Sequence, residues 1–292
     1  MEPELIADYE CNTGEGPMWH PDEERLYWVD IPNGRLFRYD PDEDHHEQVI
    51  DYDGAIGGYT IQENGDLLCF LDRGTIRPWT EDGGFGEPIV EEIPEERDSR
   101  FNDVIADPRG RVFCGTMPTA DRLGRLYRLD HDGELTEVVE EVDVSNGLGF
   151  TPDREQMYYT ESGEKKIYRY DYDEETGEIS DRETFLDLTD EEGVPDGMTV
   201  DAEGYVWSAR WDGGCLVRYD SDGTETRRVE FPARKVSSVT FGGPDYEDAY
   251  VTTALGSDDL DDRETEGQRA GALFRVDLGV QGVEEFRSRI EY

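Results

Sequence analysis

Residues 196–220 read DGMTVDAEGYVWSARWDGGCLVRYD. A short apolar run, MTV, meets the turn pair Glu203-Gly204. An aromatic-rich run, YVWSAR, meets a second glycine turn at Gly213-Gly214. The stretch closes on LVRYD. Runs of this length, bounded by Gly and acidic turn residues, read as short antiparallel strands joined by tight turns. The last run recurs as LFRYD (36–40), IRPWT (76–80, degenerate), LYRLD (126–130), IYRYD (167–171) and LFRVD (273–277). The run before it recurs as RLYWVD (25–30), DLLCFLD (66–72), RVFCGTM (111–117), QMYYTES (156–162) and AYVTTA (249–254).

Six copies, each beginning 41 to 49 residues after the last, indicate a repeat architecture. A further strand opens each unit (GPMWH, GYTIQ, NDVIAD, NGLGF, DGMTVD, SSVTFGG), and a more polar one such as TEVVEE or TRRVEF usually ends it. Four short antiparallel strands repeated radially make a β-propeller. No sustained 3.6-residue periodicity is present, so long helices are not expected. The fold class is therefore all-β: a six-bladed β-propeller, four antiparallel strands per blade around a central channel, as one domain over residues 1–292. The spare strand LIADYE (5–10) is expected to pair with the sixth blade and remove an exposed edge, with GVEEFRSR (282–289) competing for that place.

Composition narrows the function. The chain carries 73 Asp plus Glu against 28 Lys plus Arg, for a net charge of −45. Only Lys165, Lys166 and Lys235 are lysines. Such a surface repels nucleic acid and anionic membranes, so neither is expected as a partner. Its self-repulsion is relieved at molar salt, where the Debye length falls to about 3 Å, which points to a salt-rich cytoplasm. The strong like charge also favours a monomer. Cys11, Cys69, Cys114 and Cys215 lie far apart without CxxC spacing and are expected to be buried free thiols. The start MEPELIADYE is acidic and lacks an apolar segment, so a soluble cytoplasmic protein is expected.

In a propeller the first strand of each blade lines the channel, so equivalent positions in different repeats become neighbours. About ten residues before each second strand stand Glu15 in GEGP, Asn102 and Asp103 in RFNDV, Asn146 in SNGLGF and Asp196 in PDGMTV. Blades two and six offer IGGY and VSSV, without charge. Taken singly, Asn-Gly and Asp-Gly read equally well as hairpin turns, as Asp82-Gly83, Asp132-Gly133 and Asp222-Gly223 do. Taken together at one offset, they converge carboxylate and amide oxygens suited to Ca²⁺, Mg²⁺ or Mn²⁺. A glycine after Glu15, Asn146 and Asp196 leaves the mouth uncrowded and lets the backbone turn sharply. Arg100 could hold a substrate oxygen there; the alternative is a surface ion pair with Asp98. The four histidines (His20, His45, His46, His131) form no HExxH or triad-like pattern and read as solvated turn residues. No GxSxG, P-loop or GxGxxG follows a strand, which disfavours serine hydrolase, NTPase and dinucleotide chemistry.

These segments resemble the SMP-30/gluconolactonase/LRE (regucalcin) family over nearly the whole chain. GEGPMWHPDEERLYWVDIPNGRLFRYDP is similar to its opening motif. RFNDVIADPRGRVFCGTM, SNGLGFTPDREQMYYTES, PDGMTVDAEGYVWSARWDGG and SSVTFGGPDYEDAYVTTA are similar to later ones. The resemblance implies a six-bladed propeller with one divalent metal, Ca²⁺ favoured and Zn²⁺, Mg²⁺, Mn²⁺ or Fe²⁺ compatible. Its ligands fall on Glu15, Asn146 and Asp196, and its substrate contacts on Arg100 and Asn102. The implied activity is metal-dependent opening of a sugar lactone to the aldonic acid, with Asp196 as general base. Alternatives are a phosphotriesterase or esterase on the same metal site, or a non-catalytic calcium-binding propeller. An acidic sugar contact that some members carry after GTM has no residue-for-residue match here, Asp121 lying only in the vicinity.

Overall fold

The computed structural model describes residues 2–292. The stretch 196–220 folds as read. Strands Val194–Val200, Val206–Trp211 and Cys215–Tyr219 pair antiparallel, and Glu225–Glu230 completes blade five. Gly204 adopts φ +80 in the turn, where the Asp201 carboxylate accepts the amides of Glu203 and Tyr205. Burial falls from the axis outward. All but the first residue of Val194–Val200 are buried, whereas only Val229 is buried in Glu225–Glu230.

The other repeats fold alike, giving six four-stranded sheets among the described residues. Their inner strands are Gly14–His20, Ile56–Ile61, Phe101–Ala106, Ser145–Phe150, Val194–Val200 and Lys235–Gly242. Apolar side chains fill the gap between each pair of neighbours. Trp207, Leu216 and Val229 of blade five meet Val251 and Phe274 of blade six. Trp28 and Phe37 of blade one meet Tyr250 and Leu273 of blade six. Blade two is the degenerate one. Pro78, which cannot donate to a ladder, stands within its third strand Ile76–Thr80, and its fourth strand is only Gly84–Phe85. All four cysteines are free and buried.

The ring closes through the N-terminus. Glu4–Asp8 pairs antiparallel with Ala272–Asp277, Leu5 opposite Phe274, as the outermost strand of blade six. GVEEFRSR does not take that place. It forms a strap across the far mouth of the channel, and the tail from Gln281 onward gives or receives backbone hydrogen bonds with Ala202, Tyr246, Ile61 and Gly110 in four different blades. Phe286 joins the apolar cluster between blades three and four. Three histidines depart from expectation. His45 and His46 lie in the strand His45–Asp51 rather than a turn, with the half-buried His46 Nδ1 2.9 Å from the Tyr9 hydroxyl. His20 is the last residue of its inner strand rather than part of the turn that follows, and it is buried against blade two, its Nε2 3.0 Å from the Gly65 carbonyl.

All six inner strands break register with the second strand at the same depth. The interruptions fall between Glu15 and Met18, Ile56 and Gly58, Phe101 and Val104, Ser145 and Leu148, Pro195 and Met198, and Val236 and Ser238. Such bulges re-aim side chains that would otherwise alternate across the sheet. They fall where Glu15, Asn102, Asn146 and Asp196 stand.

Candidate active site

The leading ends of the inner strands open into a cavity of about 460 Å³. Glu15, Arg100, Asn102, Asn146 and Asp196 all line it, from blades one, three, four and five. Glu15, Asn102, Asn146 and Asp196 are buried. Asp103 faces a narrower space of about 60 Å³ further down the axis, which ends at Glu285 of the C-terminal strap. Asp121 lies exposed on the loop after blade three's second strand and is not part of the cavity wall.

Arg100 does not pair with Asp98. Its Nη1 donates to the Phe101 carbonyl at 2.9 Å and to Asn102 Oδ1 at 2.7 Å. Asn102 Nδ2 donates to the Ser145 carbonyl at 2.7 Å and to Asn146 Oδ1 at 2.6 Å. Asn146 Nδ2 donates to Ser162 Oγ at 2.8 Å. The glycines serve packing more than sharp turning. Gly16 alone of the three adopts a left-handed φ, +53. A Cβ on Gly147 would lie 2.7 Å from the Asp196 carbonyl oxygen, and one on Gly197 2.2 Å from Ser238 Oγ. Neighbouring inner strands approach too closely there for any larger residue.

Electrostatics single out the carboxylates. Burial, reinforced by Asp196 and Asp103, pushes the Glu15 carboxyl well above its ordinary range. Burial and Asp103 do the same to Asp196. Burial also raises Asp103 to about 7, and it lowers Arg100 to about 10 against the pull of the three acids. Glu15 accepts one amide, that of Gly16 at 3.0 Å, and the Asp196 carboxylate accepts no hydrogen bond among the described residues. Three crowded acids with one guanidinium are short of positive charge. No group of three His, Cys, Asp or Glu residues set to hold a metal occurs among the described residues, so a cation here would need the Asn146 amide oxygen beside Glu15 and Asp196. Such an all-oxygen set suits a hard divalent ion.

A family model for the SMP-30/gluconolactonase/LRE-like region matches residues 13–255. The chain belongs to the SMP-30/gluconolactonase/LRE-like family. A pentonolactonase of Haloferax volcanii is 51% identical over 288 residues, covering 98% of this chain and 97% of that one. Regucalcin of Xenopus laevis is 33% identical, covering 96% of both. The solved structure of a calcium-binding regucalcin from Agrobacterium tumefaciens superposes with a TM-score of 0.92 at 25% identity, covering 99% of this chain and 97% of that one.

Beyond the residues read from sequence, this SMP-30/gluconolactonase cavity has an apolar wall of Met117, Val144, Val194 and Trp211, and Ser162 on its polar side. Met117, Ser162 and Trp211 share an origin. Each stands at or just past the end of a second strand, beside the leading end of its inner strand: Phe101 pairs with Thr116, Ser145 with Glu161 and Val194 with Trp211. Antiparallel pairing therefore brings that position to the same mouth, and reading it in every repeat would have found them.

Proposed function

We propose that this chain, a lactonase of the SMP-30/gluconolactonase family, opens aldonolactones to aldonic acids, pentonolactones foremost, using a divalent cation held by Glu15, Asn146 and Asp196. Joint placement of these oxygens with Arg100 and Asn102 on one cavity supports the reading. The 51% identity to a protein called a pentonolactonase supports the sugar class. Ca²⁺ is the preferred ion, from the all-oxygen donors and the calcium-binding relative. Bound there, the ion would act as a Lewis acid on the lactone carbonyl.

The chain's own groups do the rest. Arg100 donates to ring hydroxyls through its remaining N–H groups, and Asn102, whose two N–H bonds go to the Ser145 carbonyl and Asn146, accepts from one through Oδ1, so that together they orient the lactone. Trp211, Met117 and the two valines cover its apolar face. Asp196, whose carboxylate accepts no hydrogen bond among the described residues, accepts a proton from the attacking water. No helix among the described residues is long and apolar enough to cross a membrane. We further place the protein in a salt-rich cytoplasm as a monomer, on its charge.

The test is acid release from D-xylono-, L-arabino- and gluconolactone and hydrolysis of an aryl phosphotriester. It is run in molar salt with Ca²⁺ or with chelator, against the uncatalysed rate. Pentonolactone opening well above background, lost with chelator, is expected. Rates at background on all three lactones would overturn the reading, and faster turnover of the phosphotriester would replace it.

A further inference from the structure

An asparagine side chain offers an oxygen and an NH₂ group of nearly the same shape, so only its hydrogen bonds decide which end faces a cation. At Asn146 those bonds belong to a chain of contacts with a fixed direction. Arg100 can only donate, so Asn102 must present Oδ1 to it and turn Nδ2 toward Asn146, at 2.6 Å. Asn146 must therefore accept through Oδ1. The other end gives the same answer independently. The Pro195 carbonyl can only accept, so Ser162 spends its hydroxyl hydrogen there, at 2.6 Å. Ser162 Oγ is then an acceptor, and Asn146 must offer it Nδ2, at 2.8 Å. A guanidinium at one end and a main-chain carbonyl at the other impose one polarity across blades three, four and five.

We propose that Ser162 is a positioning residue of the cation site: its hydroxyl holds the Asn146 oxygen toward the cavity and ties the Pro195 carbonyl, one residue before Asp196, to the same network. The inference rests on the reading of Glu15, Asn146 and Asp196 as cation ligands. Ser162 is buried, at 5% exposure, and both its hydrogen-bond partners adjoin or are those residues. Without its hydroxyl, the Asn146 NH₂ group loses its acceptor, and the hydrogen bond from Asn102 alone then opposes the rotation that would present NH₂ to the cation. Partners that orient ligands in this way typically govern affinity by about 10- to 100-fold.

The test is calorimetric titration with Ca²⁺ of the wild type, Ser162→Ala, Asn146→Asp, the double variant and Asn146→Ala, in molar salt. Melting curves without Ca²⁺ establish that each is folded. A carboxylate has no wrong end, so Asn146→Asp removes the need for orientation. With Asn146 in place, Ser162→Ala is expected to weaken Ca²⁺ binding about 10- to 100-fold. Added to Asn146→Asp, the same serine substitution should have less than about a threefold effect. An equal loss in both backgrounds would assign Ser162 a merely structural role and overturn the proposal. Unchanged affinity in Ser162→Ala would also overturn it, while leaving the cation site intact if Asn146→Ala abolishes binding. A wild type that binds no Ca²⁺, or binds it equally well as Asn146→Ala, would overturn the cation reading and this inference with it.

Discussion

At the residue scale, the chemistry concentrates on side chains with unusual company. Asp196 is a buried acid whose carboxylate accepts no hydrogen bond among the described residues, crowded by Asp103 and only partly offset by Arg100. In the proposed roles it is both ligand and base, and its loss should be severe. Asp196→Ala is expected to lower kcat for pentonolactone opening by about 10²- to 10⁴-fold, the usual range for a positioned base. Calorimetry should show weaker Ca²⁺ binding at the same time. Full activity with the ion still bound would remove Asp196 from the role of base. Trp211 makes a different prediction. It stands on the apolar wall, with Lys235 Nζ 5.7 Å from its ring centroid. Trp211→Ala should raise KM for sugar lactones about tenfold, since burying part of an aromatic face contributes about 1–2 kcal/mol, with little change in kcat. An unchanged KM would show that the sugar does not lie against the indole.

At the element scale, the bulge in each inner strand decides where function sits. A regular strand would send alternate side chains into the gaps between blades. The interruption after Pro195 instead turns Asp196 to the cavity and seats Gly197 against Ser238. The C-terminal strap is the other decisive element, and it carries a titratable group into the base of the channel. Burial raises the Glu285 carboxyl to about 6, opposed by a hydrogen bond from the Thr199 hydroxyl. An unfolded Glu titrates near about 4.3. Between those values the folded state holds the extra proton, so stability is lost as pH rises through that window and the full loss applies above about 6. The ceiling is about 2 kcal/mol, at about 1.4 kcal/mol per unit. Glu285→Gln removes the titration and keeps an acceptor for Thr199. It should melt above the wild type at pH 8 and level with it at pH 4.5 in thermal unfolding. A constant difference across that range would show that Glu285 does not titrate within the fold.

At the scale of the whole molecule, charge governs stability. The net charge of −45 is spread over a ring whose arginines are largely engaged in ion pairs, such as Arg38 with Glu47 and Glu81. Raising KCl from 0.1 to 2 M shortens the Debye length from about 10 Å to below about 3 Å and screens attraction and repulsion alike. Repulsion dominates, because acids outnumber bases 73 to 28 and exposed pairs contribute only about 0–1 kcal/mol each. The melting temperature should therefore rise with salt, on the order of 10 °C if several kcal/mol of repulsion are relieved. A flat or falling curve would mean that paired charges outweigh the excess.

The same scale separates what was legible in the chain from what was not. Repetition determined the architecture. A strand with aromatics, a Gly-acid turn and an LYRYD-like strand, met six times, leave radial stacking as the way to bury every apolar face, and the spare strand at residues 5–10 supplies the closing edge. Repetition also determined which residues share a mouth, because equal offsets in equivalent blades become neighbours around an axis. Glu15, Arg100, Asn102, Asn146 and Asp196 followed from that. The tertiary structure alone decided the rest. Which way the Asn146 amide points depends on Arg100 and Asn102 on one side and Ser162 and Pro195 on the other, in register across three blades, a matter of angstroms that no local pattern encodes. Trp211 and Met117 join the cavity through strand pairing, the residues at 147 and 197 must be glycine because adjacent blades touch there, and the tail becomes a strap because the far mouth offers four blades' backbone groups to pair with. Local spacing specifies strands and their order; contacts between blades, made by residues far apart in the chain, specify a site.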